Sequence, residues 1–158
     1  MPPAVTLRPV RDDDLPIFFE QERDPQAVQM AAFTHPDPND RAAFDAHWAK
    51  ICSRPSVCVR TIEADGVVIG HVASYEVDGR PEVTYWLGRE HWGRGLATAA
   101  LRAFLAEDPR RPMFGHTAQD NLASRRVMEK CGFRIIGHSR GYANARSADI
   151  DELELVLE

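Results

Sequence analysis

Apolar and polar residues alternate through positions 5–10 (VTLRPV), the period of a half-buried strand. Asp12 to Asp14 follow. Acidic residues there accept from the free N–H groups of a helix start, and they predict a helix through about Gln21. A second short helix is expected over 25–32. The segment Thr34-His35-Pro36-Asp37-Pro38-Asn39-Asp40 is too rich in proline for a helix and reads as a loop. Asp40 caps a further helix to about Cys52, with Phe44, Trp48 and Ile51 along one face.

The pattern then changes period. Val57–Ala64 and Val67–Val77 read as strands joined by Asp65-Gly66, a dipeptide suited to a two-residue hairpin. Asp78-Gly79 marks another turn before a strand at Glu82–Leu87. A helix is expected from about Gly95 to Glu107, ended by Asp108-Pro109, and then a buried strand at Met113–Thr117. Asn121–Cys131 reads as a helix closed by Gly132, and strands near 133–142 and 150–157 finish the chain. Strand–helix–strand units in the second half imply parallel pairing, whereas the earlier hairpins imply antiparallel pairing. An α/β fold with a mixed sheet and helices on both faces satisfies both.

Length and composition leave that picture intact. The 158 residues suit one domain spanning 1–158, and 44% apolar with 27% charged residues is ordinary for a globular chain. No apolar run approaches the roughly 20 residues of a membrane helix. The opening MPPAVTLRPVRDDD lacks the pattern of a secretory signal, so a soluble, cytoplasmic protein without a membrane partner is expected. A net charge of −5 with no basic stripe argues against nucleic acid as a partner. Cys52, Cys58 and Cys131 are odd in number and show no C-x-x-C spacing. That pattern supports neither a disulfide framework nor a metal site, and buried structural cysteines are expected.

The candidate chemistry lies in Tyr85-Trp86-Leu87-Gly88-Arg89-Glu90-His91-Trp92-Gly93-Arg94-Gly95-Leu96-Ala97-Thr98, which runs strand, loop, helix. Glycines at a helix start let backbone N–H groups approach a ligand, and the unpaired N–H groups with the positive helix end form an anion site. Arg94 and Arg89 can add charge-assisted contacts. A Walker A loop needs Lys-Ser/Thr where Arg94-Gly95 stands, and a dinucleotide fingerprint needs a third glycine where Thr98 stands. An acyl-CoA loop remains.

The segment Trp92–Ala97 resembles the signature Gln/Arg-x-x-Gly-x-Gly/Ala of the GNAT N-acetyltransferase superfamily, with Trp92 in the Gln/Arg place. The run Tyr-Trp-Leu-x4-Trp-Gly-Arg-Gly-x-Ala-Thr is similar to the RimJ/RimL branch, the ribosomal-protein N-terminal acetyltransferases. A second block, Asn121 to Phe133, resembles the family's Asn-x-x-Ser/Ala helix ending in Gly-Phe. The resemblance implies a mixed, mostly antiparallel sheet of six or seven strands and acetyl-CoA as cofactor. It also implies acetyl transfer to a primary amine by direct attack, with no metal.

By the same resemblance, the backbone of Leu87, Gly88 and Arg89 pairs with pantetheine. The N–H groups of Gly93, Arg94, Gly95, Leu96, Ala97 and Thr98 hold the pyrophosphate, and Asn121 contacts the pantetheine or acyl region. Many relatives carry a tyrosine acid where this chain has Met128. Ser124, one turn from Asn121, is then the candidate to hydrogen-bond the thiolate. Glu82, Glu90 and His116 are the candidate bases. Each has an ordinary reading beside the functional one: Gly88 as a turn glycine, Asn121 as a helix cap, Ser124 as a helix serine. Glu82 and Glu90 also suit solvated charges, and His116 a core histidine. Phe44, Trp48, Trp86, Phe104 and Phe133 read as core. His35, Asp37, Asp40 and the polar turn Gly141–Arg146 are expected to face the acceptor. The acceptor is a protein N-terminus or a small amine, and the protein a monomer or homodimer. The rival reading is a non-catalytic acyl-CoA-binding sensor domain.

Overall fold

A computed structural model describes residues 4–158; the first three residues, part of the opening stretch read above, lie outside the described residues. β1 (Thr6–Arg8) passes through a 3₁₀ turn at Asp12–Asp14 into α1 (Leu15–Glu22), α2 (Pro25–Ala31) and α3 (Arg41–Ser53). β2 (Cys58–Ala64), β3 (Val67–Val77) and β4 (Arg80–Leu87) then form a meander. α4 (Leu96–Glu107), β5 (Met113–Ala118), α5 (Leu122–Lys130), β6 (Arg134–Ala143) and β7 (Ala148–Leu157) complete the chain. No helix among the described residues is long and apolar enough to cross a membrane.

Among the described residues, seven strands form one sheet in the order β1-β2-β3-β4-β5-β7-β6. Neighbouring strands are antiparallel except β4 and β5, which run parallel because α4 carries the chain between them. Both predicted hairpin turns are present. Asp65 and Gly66 have φ of 52° and 74°, and Asp78 and Gly79 have 51° and 77°, the left-handed pair that matches strand twist in a two-residue loop.

Successive residues of β3 point to opposite faces. Val72 joins the core built with Leu101 and Phe104 of α4, whereas His71 packs edge-on against Phe18 of α1 and Trp48 of α3. Helices therefore cover both faces. Asp14, read from sequence as a first-turn acid, is instead buried. It accepts from Arg8 Nη1 and Nη2, Arg11 N and Thr61 Oγ1, tying β1, the turn and β2 together. At the far end of α4, buried Asp108 accepts from Ser74 and Arg110.

The feature that positions the site is a parting of strands. β4 and β5 are in register only at Glu82 and Phe114. Beyond that point β4 follows β3 as far as Leu87 opposite Gly70, and β5 follows β7 as far as Ala118 opposite Glu152. Each strand is held by its other neighbour. A Cβ on Gly70 would lie 2.0 Å from the Trp86 carbonyl oxygen, so glycine there lets β4 stay close to β3 while the gap opens.

Three expectations change. Cys52 is exposed and Cys58 and Cys131 are half-buried, so none belongs to the deep core; all three thiols are unpaired, with pKa pushed up by burial. Trp48, Phe104 and Phe133 are core, but Phe44 and Trp86 line a cavity. In the predicted polar turn, Gly141–Ala143 belong to β6. Asn144 Nδ2 donates to Thr34 O, and Arg146 bonds Gln29 O and Asp120. That hairpin braces the acceptor-side loop rather than lining the cavity.

Candidate functional site

The loop after β4 is built around two left-handed glycines. Gly93 has φ 75°, and Gly95, at φ 74° and ψ 7°, is the N-cap of α4. That backbone turns the first N–H groups of α4, on Leu96, Ala97 and Thr98, outward without helical partners. A helix of twelve residues adds the positive end of its dipole. Trp92 Nε1 donates to Leu87 O at 3.1 Å, folding the loop back on the strand. This gives Trp92 a structural role at the motif position where it departs from the family pattern.

Gly88 N donates to Ile69 O at 2.9 Å, so the Gly88 amide faces β3. Alternation along a strand then turns the amides of Tyr85 and Leu87 toward the gap. Of the three residues expected to pair with pantetheine, Leu87 has its amide placed to do so, and Gly88 does not. Arg89 is occupied elsewhere: Nε binds Asp24 at 2.8 Å and Nη1 binds Gln26 at 3.3 Å, joining the loop to α2. Arg94 is exposed, with Nη2 3.2 Å from His91 Nδ1.

A cavity of about 440 Å³ occupies this side of the gap. Leu87, Gly93, Gly95, Leu96, Ala97, Thr98, Asn121 and Ser124 all line it, whereas Gly88, Arg89 and Arg94 do not. Arg126 and Lys130 of α5, four residues apart, also line it. Arg89 and Arg94, the cations singled out in the sequence, stand off that wall, and Arg126 and Lys130 bring two others onto it. Their spacing on an exposed helix looked like ordinary surface charge, so sequence alone gave no signal.

A second cavity, of about 590 Å³, lies on the other side. His35, Asp37 and Asp40 line it, together with His116 and Glu152. The two cavities share Ala31, Tyr85, Trp86, Asn121 and Ser124. At this junction Asn121 Oδ1 accepts from Ser124 N at 3.2 Å, so Asn121 is the helix cap as well as a wall of both cavities. Met128 is buried, its methyl and sulfur packed beside Gly115, and has no proton to offer.

The hydroxyl lost at Met128 is present on β4. Tyr85 Oη lies 3.0 Å from Ser124 Oγ. Burial, partly opposed by that hydrogen bond, pushes the Tyr85 phenol up to about 12, so it remains a protonated donor at neutral pH. Tyr85 stands in the Tyr-Trp-Leu run, where the sequence alone points only to Trp86, as a core residue. The parting of β4 from β5, which turns Tyr85 toward α5, is invisible in the run itself.

The candidate bases separate. Glu90 is an exposed loop carboxylate 3.5 Å from His91 and lines neither cavity. Glu82 lies 3.3 Å from His116 Nδ1, while His116 Nε2 is 3.2 Å from Glu154, itself bound by Arg80. Glu152 lines the cavity within the electrostatic reach of this group. Its pKa is raised by burial, pulled down by His116, and raised further by Glu82 and Glu154. The run Asp149-Ile150-Asp151-Glu152-Leu153-Glu154 puts acids on both faces of β7, so the sequence does not mark Glu152 as one that faces the cavity.

A gap between strands with a glycine-capped helix at its mouth is the architecture of an acyl-CoA acyltransferase. The family profile described as Acetyltransferase (GNAT) domain matches residues 4–134, and the chain belongs to that family of acetyltransferases. Among solved structures, Mycobacterium smegmatis RimJ in complex with CoA-disulfide is 26% identical with a TM-score of 0.79, covering 97% of this chain and 81% of that one. Spermidine N-acetyltransferase from Vibrio cholerae, in complex with CoA and spermine, is 20% identical with a TM-score of 0.80 over 96% and 95% of the two chains. RimL, a ribosomal L7/L12 alpha-N-protein acetyltransferase in complex with coenzyme A, is 16% identical with a TM-score of 0.77 over 97% and 94%. No curated protein matches the sequence significantly.

Proposed function

We propose that the protein is a cytoplasmic, bacterial-type N-acetyltransferase, a monomer or homodimer, that moves acetyl from acetyl-CoA to the primary amine of a small molecule or protein N-terminus. The observation that carries this reading is the meeting of two cavities at Tyr85, Asn121 and Ser124. Acetyl-CoA occupies the 440 Å³ side, with pyrophosphate at the first turn of α4, Arg126 and Lys130 adding charge, and pantetheine along Leu87. The RimJ, RimL and spermidine N-acetyltransferase structures hold coenzyme A, which supports the same cofactor here.

The acceptor enters the 590 Å³ side as an ammonium and loses a proton to Glu152, directly or through water. The raised pKa of Glu152 makes it a stronger base than an exposed carboxylate. The neutral nitrogen attacks the thioester carbonyl carbon, the C–N bond forms and the C–S bond breaks. The departing thiolate receives hydrogen bonds from the Tyr85–Ser124 pair and takes up the second proton, which the acylated nitrogen sheds, so that amide and free thiol leave with one proton on Glu152. Holding both reactants in one gap supplies much of the rate.

Thiol release from acetyl-CoA with a panel of amines and peptides tests the reading. Turnover on at least one primary amine, and its loss in Glu152→Gln, is expected. Tight acetyl-CoA binding without turnover on any amine would establish the sensor reading instead.

A further inference from the structure

The acceptor cavity crosses β4. On the β5–α5 side stand His116, Glu152, Asn121 and Ser124; on the β3 side stand Glu22 at the end of α1, His47 of α3 and His71 of β3. The reaction occupies the first side and leaves the second unexplained.

Two observations describe that second end. The cavity walls carry four carboxylates, Glu22, Asp37, Asp40 and Glu152, and no lysine or arginine. A cation entering meets attraction from every charged carboxylate in the wall, whereas an anionic group meets repulsion. Independently, His71 is more than nine-tenths buried, yet neither ring nitrogen has a hydrogen-bond partner among the described residues. Its nearest polar neighbour is Glu22 Oε1, 3.7 Å from Nε2, too long for a hydrogen bond. The ring is fixed between Phe18 and Trp48, with centroids 4.8 Å and 4.9 Å away. A rigid imidazole with an unpaired nitrogen, beside a carboxylate in an acidic cavity, is a site for a protonated nitrogen.

We infer that Glu22 and His71 form an anchoring subsite for a second ammonium of the acceptor, so that the substrates are small diamines rather than monoamines or peptides. The inference rests on the acetyltransferase reading. It places one nitrogen at the Tyr85–Ser124 junction and the other across β4. The anchor stands on β3 and the junction on β4 where it has parted from β5, so the two nitrogens lie more than one strand spacing of about 4.8 Å apart, which disfavours a diamine too short to bridge it.

The test compares α,ω-diaminoalkanes of increasing length with monoamines of equal length. The preferred diamine should exceed its monoamine by at least about tenfold in kcat/KM, equivalent to about 1.4 kcal/mol. In Glu22→Gln that ratio should fall to about one, mainly through KM, with acetyl-CoA affinity reporting an intact fold. His71→Gln should reduce the ratio in the same direction. Equal kcat/KM for diamines and monoamines, a ratio unchanged in Glu22→Gln, or better turnover of a peptide α-amine would overturn the subsite. Calorimetry of diamine binding to the CoA complex separates the two readings. If no amine is acetylated, the transferase reading falls, and diamine binding that weakens in Glu22→Gln upholds the subsite while equal binding removes it.

Discussion

Tyr85→Phe is the sharpest probe of the reaction centre. The substitution keeps the ring that separates the two cavities and deletes only the hydroxyl 3.0 Å from Ser124 Oγ. Losing one neutral hydrogen bond costs about 1 kcal/mol of stability, which leaves the fold intact. Losing a donor aimed at charge that develops during reaction costs more, about 3 kcal/mol, or roughly a hundredfold in kcat. Steady-state thiol release measures kcat, and calorimetry measures the acetyl-CoA dissociation constant, which should hardly move. With the phenol pushed up to about 12, the hydroxyl is protonated across the neutral range, so the loss should be the same at every pH there. If Tyr85 and Ser124 act as one donor, Tyr85→Phe combined with Ser124→Ala should be no slower than the worse single variant. A fall in kcat below about threefold, under about 0.7 kcal/mol, would refute the role.

Two further outcomes follow from the same geometry. Gly95→Ala and Gly66→Ala both place an alanine at φ 74°, which costs each about 1 kcal/mol in denaturant titration; only Gly95→Ala should also weaken acetyl-CoA binding by calorimetry, and equal affinities would separate the loop from the cofactor. Asp14 and Asp108 sit at about 2 in the folded protein against 3.8 ordinarily; burial raises each, but hydrogen bonds from Arg8, Arg11 and Thr61 to Asp14, and from Arg110 and Ser74 to Asp108, outweigh it. Because the folded values are depressed, each contributes on the order of 2 kcal/mol that is present above about pH 4 and lost as pH falls toward 2. Unfolding free energy measured against pH should drop through that window, and Asp14→Asn should flatten the drop; a flat wild-type profile would remove both anchors.

The glycine-capped helix start proposed to hold the cofactor was legible because its geometry is set by the backbone. An anion site at a helix start needs glycines at fixed places beside the strand that feeds it, and Gly93 and Gly95 stand two positions apart just after β4. Helix caps and hairpin turns were readable for the same reason. Asp40 accepts from Ala43 N, Asn121 from Ser124 N, and Asp65-Gly66 turns the first hairpin, each a contact within four residues. Side chains brought together over long separations were not readable. Tyr85 meets Ser124 across 39 residues, and Asp14 meets Thr61 across 47.

The base shows why the second half stayed hidden. Glu82, between Pro81 and Val83, and Glu152, between Asp151 and Leu153, are both strand carboxylates, and neither local pattern says which one faces a cavity. What separates them is the strand order. β7 inserts beside β5 and pairs Glu152 with Ala118, at the end of β5 that has parted from β4. Glu82 sits where β4 and β5 still touch, opposite Phe114, and lines neither cavity. In the proposed reaction the residue at the open end of the parting receives the proton, and the residue at the closed end acts on that neighbour's charge. Glu82→Gln should thus lower the pH at which activity rises, because it removes a carboxylate that holds the Glu152 pKa up. In Glu152→Gln that rise should be lost with the activity itself. A pH–rate profile for kcat/KM that is unmoved in Glu82→Gln would dissociate the two carboxylates and return the base to an open question between Glu152 and His116.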